Sequence, residues 1–213
     1  MRHSRIGART YVGFALLSVA LVSVCETSFA APGATAPALA TAAPAAPAAA
    51  KGVSEKDMAD ALHAVIAADR FVYTKLVVNR LSEEEKVIKA SEHWEDDKAL
   101  PLPAQMLRAA SDRLEGSGAK FTYALTSLFP INKKNTPASP AEKKGLEVVA
   151  ANPAQNYYGE DLLGTQKYFL AVYPDVASSE ACASCHNNHP DSPRKDWKLN
   201  DVMGAVVVRI PVQ

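Results

Sequence analysis

The stretch Phe121-Thr122-Tyr123-Ala124-Leu125 decides the fold class. Its apolar residues alternate with small or polar ones, and a period of two reads as a β-strand. On its N-terminal side the period is helical instead. Met58, Leu62, Val65, Ile66, Val72 and Leu76 recur every three to four residues behind a Ser54/Asp57 capping pair, which predicts a long amphipathic helix. Ser82 and Glu85 repeat that spacing and predict a shorter helix through Val87 and Ile88 towards His93 and Trp94. Pro101 and Pro103 interrupt it. Pro103 suits the first turn of a third helix, with Met106, Leu107, Ala110 and Leu114 on one face and Gly116 and Gly118 ending it. On the C-terminal side, Ser139, Pro140 and Glu142 open a helix to about Ala150, Lys167 to Tyr173 reads as a strand, and Gly204 to Val212 as another. Helices first and strands later, with one helix and one loop between strands, predict an α+β domain with an antiparallel sheet.

The 213 residues suit one domain once the ends are set aside. Arg2, Arg5 and Arg9 precede an apolar run from Tyr11 to Val24, followed by Ser28 and Ala30, so residues 1–30 read as a secretory signal peptide. That run is shorter than the roughly 20 residues a bilayer-spanning helix needs, and no permanent span is expected after processing. Val22-Ser23-Val24 before Cys25 also resembles a lipoprotein signal, although Val24 occupies a position that normally takes a small residue. Residues 31–53 are dominated by Ala and Pro, with Pro37, Pro44 and Pro47 against a continuous helix, and read as a spacer. The folded domain is placed at 54–213. Without residues 1–30 the formal charge falls from zero to −2, which gives no indication of nucleic-acid binding.

The chemistry lies in Cys182-Ala183-Ser184-Cys185-His186, a CxxCH motif. Two thiols at this spacing reach the two vinyl groups of one haem, and the histidine that follows is placed to ligate the iron. The reading is therefore one covalent haem c, with Cys182 and Cys185 as tethers and His186 as proximal ligand. Export agrees with it, because bacterial haem c is attached outside the cytoplasmic membrane. Three alternatives stay open. A Cys182–Cys185 disulfide would leave His186 without a role, and a thioredoxin-like site lacks the βαβ context. Zinc held by Cys182, Cys185, His186 and His189 would crowd four ligands into eight residues.

The run from Cys182 through His186, Asn187, Asn188, His189, Pro190 and Asp191 to Trp197, Asp201, Val202, Met203 and Gly204 resembles a family of exported bacterial haem domains, long filed as a domain of unknown function. Asp69, Arg70, Tyr73, Val77 and Val78, the segment Leu100 to Ala104, and Tyr157-Tyr158-Gly159 fit the same family. Its members occur alone or as sensor domains of kinases and chemoreceptors, and no output module is expected here. The resemblance implies a PAS-like antiparallel sheet that cradles a single haem c, with N-terminal helices alongside and a second axial ligand drawn from the helical half. A cysteine serves there in some members, and this chain offers no helical cysteine at that position.

Met106, before the first strand, is the first candidate for the sixth position, and a thioether would raise the potential; a methionine at helical spacing is also ordinary core filling. His93 is the second candidate, with a solvated surface role as its competitor. His63, His189 and Met203 are lesser candidates, and an open site is the remaining alternative. Arg70, Arg194 and Lys195 are candidate partners for the haem propionates, since guanidinium pairs bidentately with carboxylate. Tyr157 and Tyr158 could pack on the haem or cap the core. The functional expectation is a periplasmic monohaem cytochrome, in electron transfer to a periplasmic redox partner or in redox response. The alternative is a haem sensor of a diatomic gas that signals through a separate partner. No spacing identifies a catalytic acid/base pair, so an enzyme is the less favoured class.

Overall fold

The computed structural model describes residues 52–212. The signal peptide, Cys25 and nearly all of the Ala/Pro-rich spacer lie outside the described residues. Helix α1, Glu55–Val72, starts as the sequence predicts, with the Ser54 hydroxyl accepting from the Asp57 amide at 3.1 Å. It then runs without a break into a π-helical continuation, Tyr73–Glu84, whose wider turn is closed by the Glu85 amide donating to the Arg80 carbonyl at 2.8 Å.

That continuation corrects the expected helix at Ser82. Ser82 does not cap a new helix; it lies within the existing one and donates its hydroxyl to the Val78 carbonyl four residues back, at 2.7 Å. The chain then turns at Lys86 (φ 55°), and Val87 and Ile88 are not helical. Only a single turn, α2 (Trp94–Asp97), forms before helix α3, Pro103–Leu114. Gly116 and Gly118 follow α3 with φ of 79° and 80°, a conformation costly for residues with a Cβ.

Four strands make one antiparallel sheet: β1 (Thr122–Thr126), β2 (Tyr157–Leu163), β3 (Gln166–Val176) and β4 (Val202–Pro211), in the order β1-β4-β3-β2. The order keeps the long strands β3 and β4 central, and their alternation sends successive side chains to opposite faces. One face carries Tyr123, Ala171, Tyr173, Val206, Val208 and Ile210 against Ala59 of α1 and Leu107 of α3. The other carries Leu170, Val172, Ala205 and Val207 against Leu146 and Val149 of helix α4, Pro140–Ala151, which Ser139 caps as predicted. Strand β2 was not predicted as a strand; Tyr157, Tyr158 and Gly159 form its start. The α+β class with an antiparallel sheet is the class observed.

Candidate functional site

The CxxCH segment was expected on a loop and is helical: it occupies α5, Glu180–Asn188. Ser179 enters it in extended conformation, its carbonyl accepts from the Cys182 amide at 3.1 Å, and Ala181 and Ala183 favour the helix. The consequence is geometric. Positions 182, 185 and 186 are related as i, i+3 and i+4, so both sulfurs and the imidazole share one helix face. Both thiols are free, Cys182 half-buried beside the Ser179 hydroxyl at 3.2 Å and Cys185 exposed. The His186 ring is half-buried, and its Nδ1 is buried with no hydrogen-bond partner. Burial pushes its pKa down, against an opposing pull from Asp175.

The loop after α5 is clasped to it. Asn187 donates Nδ2 to the Trp197 carbonyl and accepts the Trp197 amide through Oδ1, both at 2.9 Å. Trp197 is buried, meets Phe129 edge-on at 6.0 Å and lies under the Arg194 guanidinium at 4.0 Å. Arg194 is also paired with Asp196 at 2.7 Å and Asp201 at 3.3 Å. Its charge is thus already shared by two carboxylates and an aromatic face, whereas Lys195 stands exposed.

His189 follows α5 with both ring nitrogens engaged. Nδ1 accepts from the Asp191 amide at 3.1 Å, which makes Nε2 the donor to the Glu92 carboxylate at 3.2 Å. Glu92 in turn links α5 to α3, because its carbonyl accepts from Gln105 Nε2 at 2.7 Å. Met106, next to Gln105, is half-buried in the first turns of α3. His93 has a side chain 73% exposed, with Glu92 3.8 Å away. Met203 is half-buried at the start of β4.

A second cluster lies where α1 crosses β3. His63 stacks flat on Tyr173, centroids 3.9 Å apart and planes 3° from parallel, and burial pushes its pKa down. Two turns further along α1, Arg70 pairs with Asp175 at 2.6 Å. Asp175 exerts its charge on both His63 and His186. Tyr158 and Tyr173 both donate to Asp60 at 2.7 Å. Tyr157 projects from the opposite face of the sheet, against α4, and does not join this cluster. Asp175 and Asp60 are not singled out by the sequence, and Asn187 enters it only within the run that carries the family resemblance. The available signal for Asp175 was its phase: after Ala171 and Tyr173 it is the charged residue at the next position on the core face of β3.

A family model described as Tll0287-like matches residues 47–211. The chain belongs to the Tll0287-like family. This is the family anticipated from the residues around Cys182–His186. Among solved structures, the cyanobacterial heme-protein Tll0287 is similar to the chain at 12% identity, over 76% of this chain and 98% of that one, with a TM-score of 0.49. No curated protein matches it in sequence.

Proposed function

We propose that residues 54–213 bind one haem c, tethered by Cys182 and Cys185, with His186 as proximal iron ligand, and that the protein is a periplasmic monohaem cytochrome serving electron transfer or redox response. The carrying observation is the single helix face that presents two free thiols and an imidazole with an unpartnered ring nitrogen. That donor set fits the group: the thiols are the nucleophiles needed for two thioether bonds, and the imidazole is free to ligate. Bound there, haem would supply an iron that cycles between ferric and ferrous states.

The chain's own residues support the arrangement. The Asn187–Trp197 clasp fixes the end of α5, and His189, with both nitrogens engaged, is withdrawn from competition with His186. Membership of the Tll0287-like family, whose namesake is described as a cyanobacterial heme-protein, supports haem over zinc. The signal-peptide reading of residues 1–30 supports a periplasmic location and a periplasmic redox partner. No helix among the described residues is long and apolar enough to cross a membrane.

The test is expression in a host with the c-type maturation machinery, followed by haem staining of a denaturing gel and pyridine haemochrome spectra. Wild type is expected to keep its haem through denaturation, and a Cys182→Ala/Cys185→Ala variant to lose it. A folded wild-type protein that takes up zinc and no haem overturns the proposal. Carbon monoxide added to the ferrous protein addresses the gas-sensing alternative, since an unchanged spectrum removes its basis.

A further inference from the structure

Helix α1 is apolar on two sides. Ala59, Leu62 and Ile66 belong to the core that it forms with the sheet. On the exposed side, Met58, Ala61, Val65, Ala68 and Val72 step by 3, 4, 3 and 4 residues, the spacing of a coiled-coil seam. The wider turns of the π-helical continuation keep Leu76, four residues on, in the same line. All six are exposed, Val65 at 61%, Val72 at 49% and Leu76 at 59%. A helix that is apolar on both sides is normally covered on both. His63 and Arg70, which reach Tyr173 and Asp175 of β3, lie on another side of α1, so a group held between α1 and β3 leaves this seam bare.

We propose that this seam is a self-association surface, on which α1 of a second copy of the chain packs antiparallel about a two-fold axis. It does not depend on the haem reading above. The argument is self-complementarity, which a two-fold contact requires. Antiparallel pairing centred between Val65 and Ala68 sets Val65 opposite Ala68, Val72 opposite Ala61 and Leu76 opposite Met58, each contact made twice, so that every alanine of the seam receives a valine. A parallel pairing sets each residue against itself, alanine on alanine and valine on valine, and packs unevenly. Charge points the same way. Asp57, next to Met58, and Lys75, next to Leu76, flank the seam along one edge at its opposite ends. Antiparallel copies bring each Asp57 to the other's Lys75, whereas parallel copies bring like charges together. Lys75 is exposed and forms no ion pair among the described residues. The seam is about 25 Å long, short for an obligate interface, so the dimer is a reversible one.

The experiment is analytical ultracentrifugation of the exported protein as purified, over concentrations up to about 1 mM, for wild type, Val65→Glu, Val72→Glu, Lys75→Glu and the charge swap Asp57→Lys/Lys75→Glu. Wild type is expected as a monomer–dimer equilibrium. Val65→Glu and Val72→Glu, at exposed positions where the fold tolerates a charge, should keep the wild-type circular dichroism and raise the dissociation constant about 100-fold or more, since each dimer would bury two unpaired carboxylates. Lys75→Glu should weaken the dimer about tenfold, and the swap, which re-forms both pairs, should restore it. Monomers at every wild-type concentration, or a dimer that survives Val65→Glu and Val72→Glu, overturn the proposal. A dimer weakened by Lys75→Glu and not restored by the swap overturns the antiparallel arrangement; should the swap fray the start of α1, the two valine variants decide alone. Wild type that stays monomeric and floats with phosphatidylcholine vesicles assigns the face to a membrane, and overturns the proposal equally.

Discussion

The two faces of the sheet are finished in different ways. On the α4 face the protein closes on itself: Leu146 and Val149 bury against Leu170, Val172 and Val207, and Arg209 is locked between Glu142 and Asp161, all three almost fully buried. On the α1 side the polar groups lack closure. His186 Nδ1 has no partner, Asp175 uses one oxygen, Cys182 and Cys185 are free, and Phe71 beside Arg70 is 63% exposed. Glu142 Oε1 is the exception on the α4 face, but its carboxylate is paired with Arg209, whereas the free thiols and unpartnered imidazole of α5 mark the second side as the place for something else.

The largest effect should come from the closed face. Arg209→Ala leaves two buried carboxylates without their cation and should cost about 3–5 kcal/mol of folding stability, measured by urea unfolding. Whatever fraction of the variant still folds and carries haem should keep the wild-type optical spectrum. A changed spectrum with unchanged stability would break the contrast between the faces.

Next in size is Gly145→Ala on the same face. A methyl there would lie 2.7 Å from Val172 Cγ2 and 2.8 Å from Tyr157 Cδ1, inside a packed interface with little room to yield. A loss of roughly 1–3 kcal/mol is expected, as for other overpacked cores. The glycine lets α4 approach the sheet closely, and an unaltered unfolding midpoint would show that this approach is looser than the distances imply.

Much of this fold was legible because it rests on local signals. Ser54 and Ser139 carry capping spacing, Pro103 opens α3, and the alternation through Phe121, Tyr123 and Leu125 is strong enough to fix β1. What failed was decided elsewhere in the structure. Ser82 looks like a cap, yet the helix from Ser54 had not ended, and a serine hydroxyl can equally bond the carbonyl one turn back. Strand β2 was missed because Gly159, Glu160 and Asp161 break its apolar alternation; its register comes from β3, and Asp161 is buried only because Arg209 meets it from β4. The CxxCH was readable as a motif, whereas its helical display depends on where β3 ends. Asp175 and the Asn187–Trp197 clasp join distant residues, a relation that spacing along the chain does not encode.

On the open side, Asn187→Ala removes both hydrogen bonds to the Trp197 backbone. At about 0.5–1.5 kcal/mol for each bond, a local loss of about 1–3 kcal/mol is expected, less than at Arg209. The effect should appear as faster amide exchange across residues 183–198, with the α4 side unchanged. Uniformly faster exchange over the whole domain would mean that α5 and the sheet unfold as one unit.

The smallest effect is expected at Asp60, where α1 meets β2 and β3. Burial raises this carboxyl, but donation from Lys56, Tyr158 and Tyr173 outweighs burial and holds the pKa at about 2, below its ordinary 3.8. Because the folded value is the lower one, the folded state binds protons less readily than the unfolded state. The contribution to stability is complete above the ordinary value and disappears as the pH falls through about 2. Asp60→Asn should therefore unfold at a lower temperature than wild type near neutrality, and the two melting curves should converge at the acid end. Since the Asp60 side chain is 36% exposed, water screens the charge and the neutral-pH gap should be small. A gap that widened with acid would mean that the tyrosines are held by packing on His63 and Phe169, and that the anion contributes nothing to the seam between α1 and the sheet.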